Sequence, residues 1–250
     1  MSKDVQKINN TQKGKLDLLN INTSTLTACL SGLVVPRLFY QLVVFVLDAS
    51  ESMTWEGVSG ESKGKEIHNQ IGPIIKKLAG SKNANSFDVS MYAFSQTHKE
   101  FVSMQTPNSI DIENFNFNPC NYVGNHQTYA EPVFLEAEEK INNYLLENKD
   151  KNSQAMIVFL GDGDIYDYSK VIDICNRLKS NNKITILSYL MEDRSWSEEL
   201  EKEKLDRLRN NIKNMSSKDN NGLNFFESKV DPEEIRKHMI KSISTVSKID

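Results

Sequence analysis

Short, continuous apolar runs alternate along this chain with longer segments whose apolar residues recur every third or fourth position. Leu42–Leu47 (LVVFVL) and Ala155–Leu160 (AMIVFL) have strand length and no polar interruption, the pattern of strands buried on both faces. Phe87–Ser95 alternates as a strand, and Lys99–Met104 (KEFVSM) suits an antiparallel partner to it. Lys183–Leu190 (KITILSYL) and Asn224–Ser228 (NFFES) are predicted as further strands.

Between these runs the period becomes helical. Ile67, Ile71, Ile74, Ile75 and Leu78 share one helix face, with Pro73 predicted to kink or restart the helix. Phe134, Ala137, Ile141 and Leu145 form a second stripe behind Pro132, a first-turn proline. Val171, Ile174, Cys175 and Leu178 form a third, and Leu200, Leu205, Leu208, Ile212 and Met215 a fourth within residues 196–215. Asp231 caps a last helix with Pro232, Glu233 and Glu234 in its first turn and Ile235, Met239, Ile243 and Val246 on its apolar face.

Strands alternating with amphipathic helices predict an α/β fold. The sheet is Rossmann-like, doubly wound and mostly parallel, with one antiparallel edge strand and helices on both faces. No linker divides residues 38–250, which read as one domain. Residues 1–37 read as an N-terminal extension, partly disordered, its first 17 or so residues polar and Leu18–Tyr40 compatible with short strands or a helix.

Composition narrows the function classes. A chain of 250 residues can bury a large core, and a net charge of −4 argues against a dedicated nucleic-acid surface. The most apolar region is broken by Pro36, Arg37 and Gln41 and runs into Asp48, so no membrane span is expected; the polar N-terminus resembles no secretion signal. Cys29, Cys120 and Cys175 are odd in number and lack metal-type spacing, which points to a reducing, cytoplasmic location. Richness in Asn, Lys, Ile and Ser hints at an AT-rich bacterial genome.

The chemistry concentrates where the two apolar runs stop. The first ends in Asp48-Ala49-Ser50-Glu51-Ser52 and the second in Gly161-Asp162-Gly163. Thr128 lies between them on a polar loop ahead of a helix. Ligands of such folds bind at the carboxyl ends of the strands. Two carboxylates and three hydroxyls form a hard, all-oxygen set that suits Mg²⁺, or Mn²⁺ or Ca²⁺, rather than zinc. Neutral hydroxyls leave such a cation with residual positive charge, so an outside anion is a natural further ligand.

Asp-x-Ser-x-Ser, a separate threonine and a strand ending in Asp-Gly together resemble von Willebrand factor A (vWA) domains, over about 200 residues. The resemblance implies a metal-ion-dependent adhesion site (MIDAS) built from Asp48, Ser50, Ser52, Thr128 and Asp162, with a partner protein's acidic residue completing the coordination. It implies an interaction module and not an enzyme. This chain departs from the family pattern in three places. Glu51 stands where glycine is common, Gly161 where threonine is frequent, and GNHQT where a Gly-Gly-Thr type of loop is frequent.

A narrower resemblance to intracellular bacterial TerY-like proteins implies a cytoplasmic adaptor in a stress-response or anti-phage system. Its partners would be kinases, phosphatases or other proteins encoded in the same operon, with neither nucleic acid nor membrane.

Other residues are ambiguous in sequence. Glu51, Trp55 and His126 flank the motif and are candidate partner-binding residues, although Trp55 could equally pack on the first helix. Asp164 and Asp167 do not fit a calcium-loop spacing and read as solvated acids. His68, His98 and His238 read as surface residues, and Cys175 as core. A Mg²⁺-dependent phosphatase or nuclease using Asp48 and Asp162 is the competing class. Against it, no Lys, Arg or His stands at short spacing from either acid, and no P-loop or nucleophile elbow is present. A structural subunit with a non-functional metal site is the third reading.

Overall fold

A computed structural model describes residues 37, 39–124, 126–194, 202–219, 222–227 and 233. Among these residues six strands form the main sheet: β1 (Tyr40–Asp48), β2 (Phe87–Phe94), β3 (His98–Gln105), β4 (Ser153–Gly161), β5 (Ile184–Leu190) and a short strand Phe225–Glu227. Lys218–Asp219 (β6) and Gly222–Leu223 (β7) make a small separate hairpin, so Phe225–Glu227 is β8. The order across the sheet is β3-β2-β1-β4-β5-β8, parallel throughout except for the edge pair β2–β3. This is the doubly wound α/β sheet with one antiparallel edge that the hydrophobic pattern predicts.

Among the described residues, four helices cover the sheet: α1 (Lys63–Ala79), α2 (Glu131–Glu147), α3 (Tyr168–Lys179) and α4 (Lys202–Met215). The unbroken apolar run of β1 has a direct cause. Val43, Phe45 and Leu47 point to one face and pack with Ile67, Ile71, Ile74 and Ile75 of α1. Leu42, Val44 and Val46 point to the other and pack with residues of α2, α3 and α4, including Val133, Val171 and Ile212. With both faces covered, neither alternate set can be polar.

Helix α1 continues through Pro73 and does not restart there. Pro73 and Asn69, whose carbonyl forfeits its helical partner, are both exposed, so water can take the place of the missing hydrogen bond. The predicted stripes of α2 and α3 are buried as expected, as are Leu208, Ile212 and Met215 of α4. Residues 1–36, Leu200 and, apart from Glu233, the predicted last helix from Asp231 onward lie outside the described residues.

The chain path places the site. From β1 the chain moves outward to β2 and β3, then returns to the opposite flank of β1 as β4 and continues to β5. The direction of winding therefore reverses between β1 and β4, the position at which doubly wound sheets bind ligands. Asp48 closes β1 and Asp162 follows β4 at that point.

Candidate metal centre

Asp48 is fully buried at the end of β1, and Asp162 is 2% exposed. The turn after β1 organises the first carboxylate: the amide of Ser50 donates to Asp48 Oδ1 at 2.8 Å. A short 3-10 helix, Glu51–Thr54, then carries Ser52 back over the strand ends, anchored by the fully buried Met53. The hydroxyls of Ser50 and Ser52 share a hydrogen bond at 3.1 Å, and Ser52 Oγ also donates to Asp162 Oδ2. The amide of Asp164 donates to the other oxygen, Asp162 Oδ1, at 3.2 Å.

Thr128, 4% exposed, is joined to both strand ends through the backbone. The amide of Glu51 donates to the carbonyl of His126, and that of Tyr166 donates to the carbonyl of Thr128. The structure thus gathers all five sequence-predicted residues at one end of the sheet. Of the flanking residues, Glu51 and His126 are exposed and joined only through the backbone. Trp55 is 52% exposed rather than packed on α1. Its loop is ordered by the Lys63 amide on the Trp55 carbonyl and by an ion pair between Glu56 and Arg194.

Three features of the site escape the sequence. The first is Lys63, the first residue of α1, whose side chain is fully enclosed with Nζ 3.1 Å from Asp162 Oδ2. Short-range spacing could not show it, because fifteen positions separate it from Asp48 and its helix position reads as polar. The second is Asp167, which corrects the expectation of a solvated acid. Its two oxygens accept the amides of Ala130 and Glu131 at 2.9 and 2.8 Å, capping α2 just after Thr128. The helix start three positions beyond Thr128 is the sequence signal for such a cap. Asp164, by contrast, is exposed beside Lys204 and Arg207, as expected of a solvated acid.

The third is an aromatic rim. Tyr129 and Tyr166 stack with ring centroids 5.6 Å apart, 39% and 65% exposed, beside Thr128. His68 is also corrected: it accepts the amide of Phe117 at Nδ1 and stacks on that ring, holding the loop before α2. His98 pairs with Glu136.

The electrostatics of the pocket are unusual. Burial, and then the charge of Asp162, push the Asp48 carboxyl up to about 7, against the opposing effects of the Ser50 hydrogen bonds and Lys63. Asp48 Oδ2 is buried with no hydrogen-bond partner. It lies where a Cβ on Gly161 would come within 3.0 Å of it, so the glycine in place of the family's frequent threonine leaves this oxygen its room. Gly163, at φ +83°, makes the next turn, and a side chain there would meet the Leu208 carbonyl of α4 at 2.8 Å. A buried carboxylate oxygen lacking a donor, in a cluster that also holds a second carboxylate and serine hydroxyls, has the chemistry of a hard-cation ligand.

The fold and the position of this oxygen cluster define a doubly wound α/β domain with a polar site at its topological switch point. The model of the von Willebrand factor type A domain matches residues 43–237, and the chain belongs to that family. No curated protein matches it.

Among solved structures it is similar to the pilus adhesin SpaC of Lactobacillus rhamnosus GG in an open conformation (TM-score 0.60, 10% identity, 85% of this chain and 30% of that one). It is also similar to an aerotolerance-related membrane protein of Bacteroides fragilis (TM-score 0.53, 13% identity, 82% and 98%). A third is the manganese-loaded TRAP protein of Plasmodium vivax (TM-score 0.51, 15% identity, 84% and 74%). The chain spans under a third of the SpaC length, and at these identities the likeness is one of fold.

Proposed function

We propose that this domain is a metal-dependent protein–protein interaction module. Asp48, Ser50, Ser52, Thr128 and Asp162 would hold a Mg²⁺-type cation, with Mn²⁺ or Ca²⁺ as alternatives, and an acidic residue of a partner protein would complete its coordination. The observation that carries this reading is the buried Asp48 Oδ2, without a donor and facing Gly161 at the switch point between β1 and β4. A cation bound there would supply a Lewis-acidic centre for a carboxylate, and the chain's own hydrogen bonds order the residues that would hold it. The manganese-loaded structure and the adhesin with the same fold support a divalent cation and a binding role.

In its finer form the reading is a cytoplasmic bacterial adaptor acting in a stress-response or anti-phage assembly with partners encoded nearby. The mixed charge and the narrower TerY-like resemblance support this form. Among the described residues, no helix is long and apolar enough to cross a membrane. Hydrolysis is favoured less. Lys63, paired with Asp162, is sealed from solvent and offers nothing to a substrate phosphate.

The test is capture of partners from the native host by the full chain, with and without EDTA, using wild type, Asp48→Ala and Thr128→Ala. Partners lost in EDTA and in both folded variants support the module. Retention under all three conditions overturns it in favour of a structural subunit. Metal-dependent phosphoester turnover abolished by Asp48→Ala would establish the hydrolase instead.

A further inference from the structure

Lys63 is placed by several independent constraints. It opens α1 directly after the cap Ser62, its amide donates to the Trp55 carbonyl at 3.0 Å, and its side chain is fully enclosed. Its Nζ lies 3.1 Å from Asp162 Oδ2, the same oxygen that accepts the Ser52 hydroxyl. A buried ammonium is costly unless it is paired, so this side chain is held as part of the cluster and does not rest there incidentally.

Its charge alters which assembly is electrically balanced. Asp48 and Asp162 contribute two negative charges when ionised, and the Lys63 ammonium cancels one. A divalent cation alone then leaves the buried cluster with one net positive charge. One carboxylate from outside brings it to neutrality. Without the lysine, the cation alone would neutralise the two acids, and an incoming carboxylate would leave a net negative charge in a low-dielectric setting, where the imbalance is expensive.

We infer that Lys63 is a built-in counter-charge that makes cation and acidic partner bind cooperatively, holding the cation weakly until a carboxylate arrives. The inference rests on the metal-dependent reading above and adds to it the order of assembly. Lys63 acts through Asp162 and the cation, as a positioning residue and not as a ligand. Coupling between two sites is reciprocal, so the cation also tightens the partner's carboxylate by the same factor.

The experiment measures Mn²⁺ affinity of the full chain by calorimetry and electron paramagnetic resonance, with acetate as the carboxylate probe, for wild type, Lys63→Met and Lys63→Gln. Circular dichroism verifies folding. Expected is a wild-type Mn²⁺ affinity that rises with acetate. Both variants should bind Mn²⁺ about tenfold or more tightly without acetate and gain little from its addition. Equal Mn²⁺ affinities in all three proteins, or an acetate effect that survives loss of the lysine, overturn the inference and leave the metal site standing. A wild type that binds Mn²⁺ indifferently to acetate overturns it without recourse to either variant. Absence of Mn²⁺ binding by all three proteins overturns the metal reading together with it.

Discussion

The carboxylate of Asp167 spans the start of α2, accepting from Ala130 and from Glu131 at 2.9 and 2.8 Å across sequence separations of 37 and 36. One side chain from the loop after β4 thereby fixes the loop that presents Thr128. It also places negative charge at a helix N-terminus, where the dipole favours it. Asp167→Ala should cost about 1–3 kcal/mol, the range for leaving buried donors unpaired. It should also weaken Mn²⁺ binding, with partial recovery in Asp167→Asn. Denaturant unfolding and calorimetry report the two effects, and unchanged Mn²⁺ affinity in a destabilised variant would separate the cap from the site.

Asp48 sets the expected pH dependence. Its carboxyl is pushed up to about 7 in the folded chain, whereas an unfolded aspartate titrates near ~3.9. Between these values the folded state holds a proton that the unfolded state has released. The contribution of Asp48 to metal-free stability is therefore fully present below about pH 4 and lost as pH rises through about 7. A divalent cation requires the ionised carboxylate, so its stabilising effect should grow over the same window. Thermal midpoints in EDTA should fall on going from about pH 5.5 to about pH 7.5, with a shallower fall in Asp48→Asn. Mg²⁺ should raise the midpoint more at the higher pH; an equal effect at both would contradict this account.

Gly161 is a position of close approach. A Cβ there would come within 2.9 Å of the Phe159 ring and 3.0 Å of Asp48 Oδ2. Gly161→Ala should destabilise by about 1–3 kcal/mol, as overpacking generally does. It should also lower Mn²⁺ affinity by displacing the Asp48 carboxylate. A variant of wild-type stability with unaltered metal binding would show that the strand ends can relax.

The exposed aromatics offer a separation of roles. Trp55, Tyr129 and Tyr166 stand on loops around the oxygen cluster, and large exposed aromatics are frequent anchors at interfaces. Substituting each with alanine should change stability by less than about 1 kcal/mol and leave Mg²⁺-dependent stabilisation intact. Partner capture should weaken, most strongly in the Tyr129/Tyr166 double variant. Loss of Mg²⁺ stabilisation in these variants would mean that the rim also shapes the cation site.

Local pattern determined much of this protein. The uninterrupted run Leu42–Leu47 requires a strand covered on both faces, because alternate side chains must all find apolar surroundings. The spacing of Asp48, Ser50 and Ser52 is short enough for one turn to bring them together, so that part of the oxygen cluster was legible in the sequence, as were the stripes that bury α2 and α3.

Tertiary structure alone decided the rest. Asp162 and Thr128 join the cluster only because β4 lies beside β1 where the winding reverses. Pro73 is tolerated inside α1 because that turn faces water. Asp167 becomes a cap because the start of α2 comes to rest against it. Lys63 looks like an ordinary polar residue at a helix start, yet the fold encloses it against Asp162. The physical reason is common to these cases. Periodicity reports which face of an element is buried, but the electrostatic partner of a polar side chain depends on how distant elements meet.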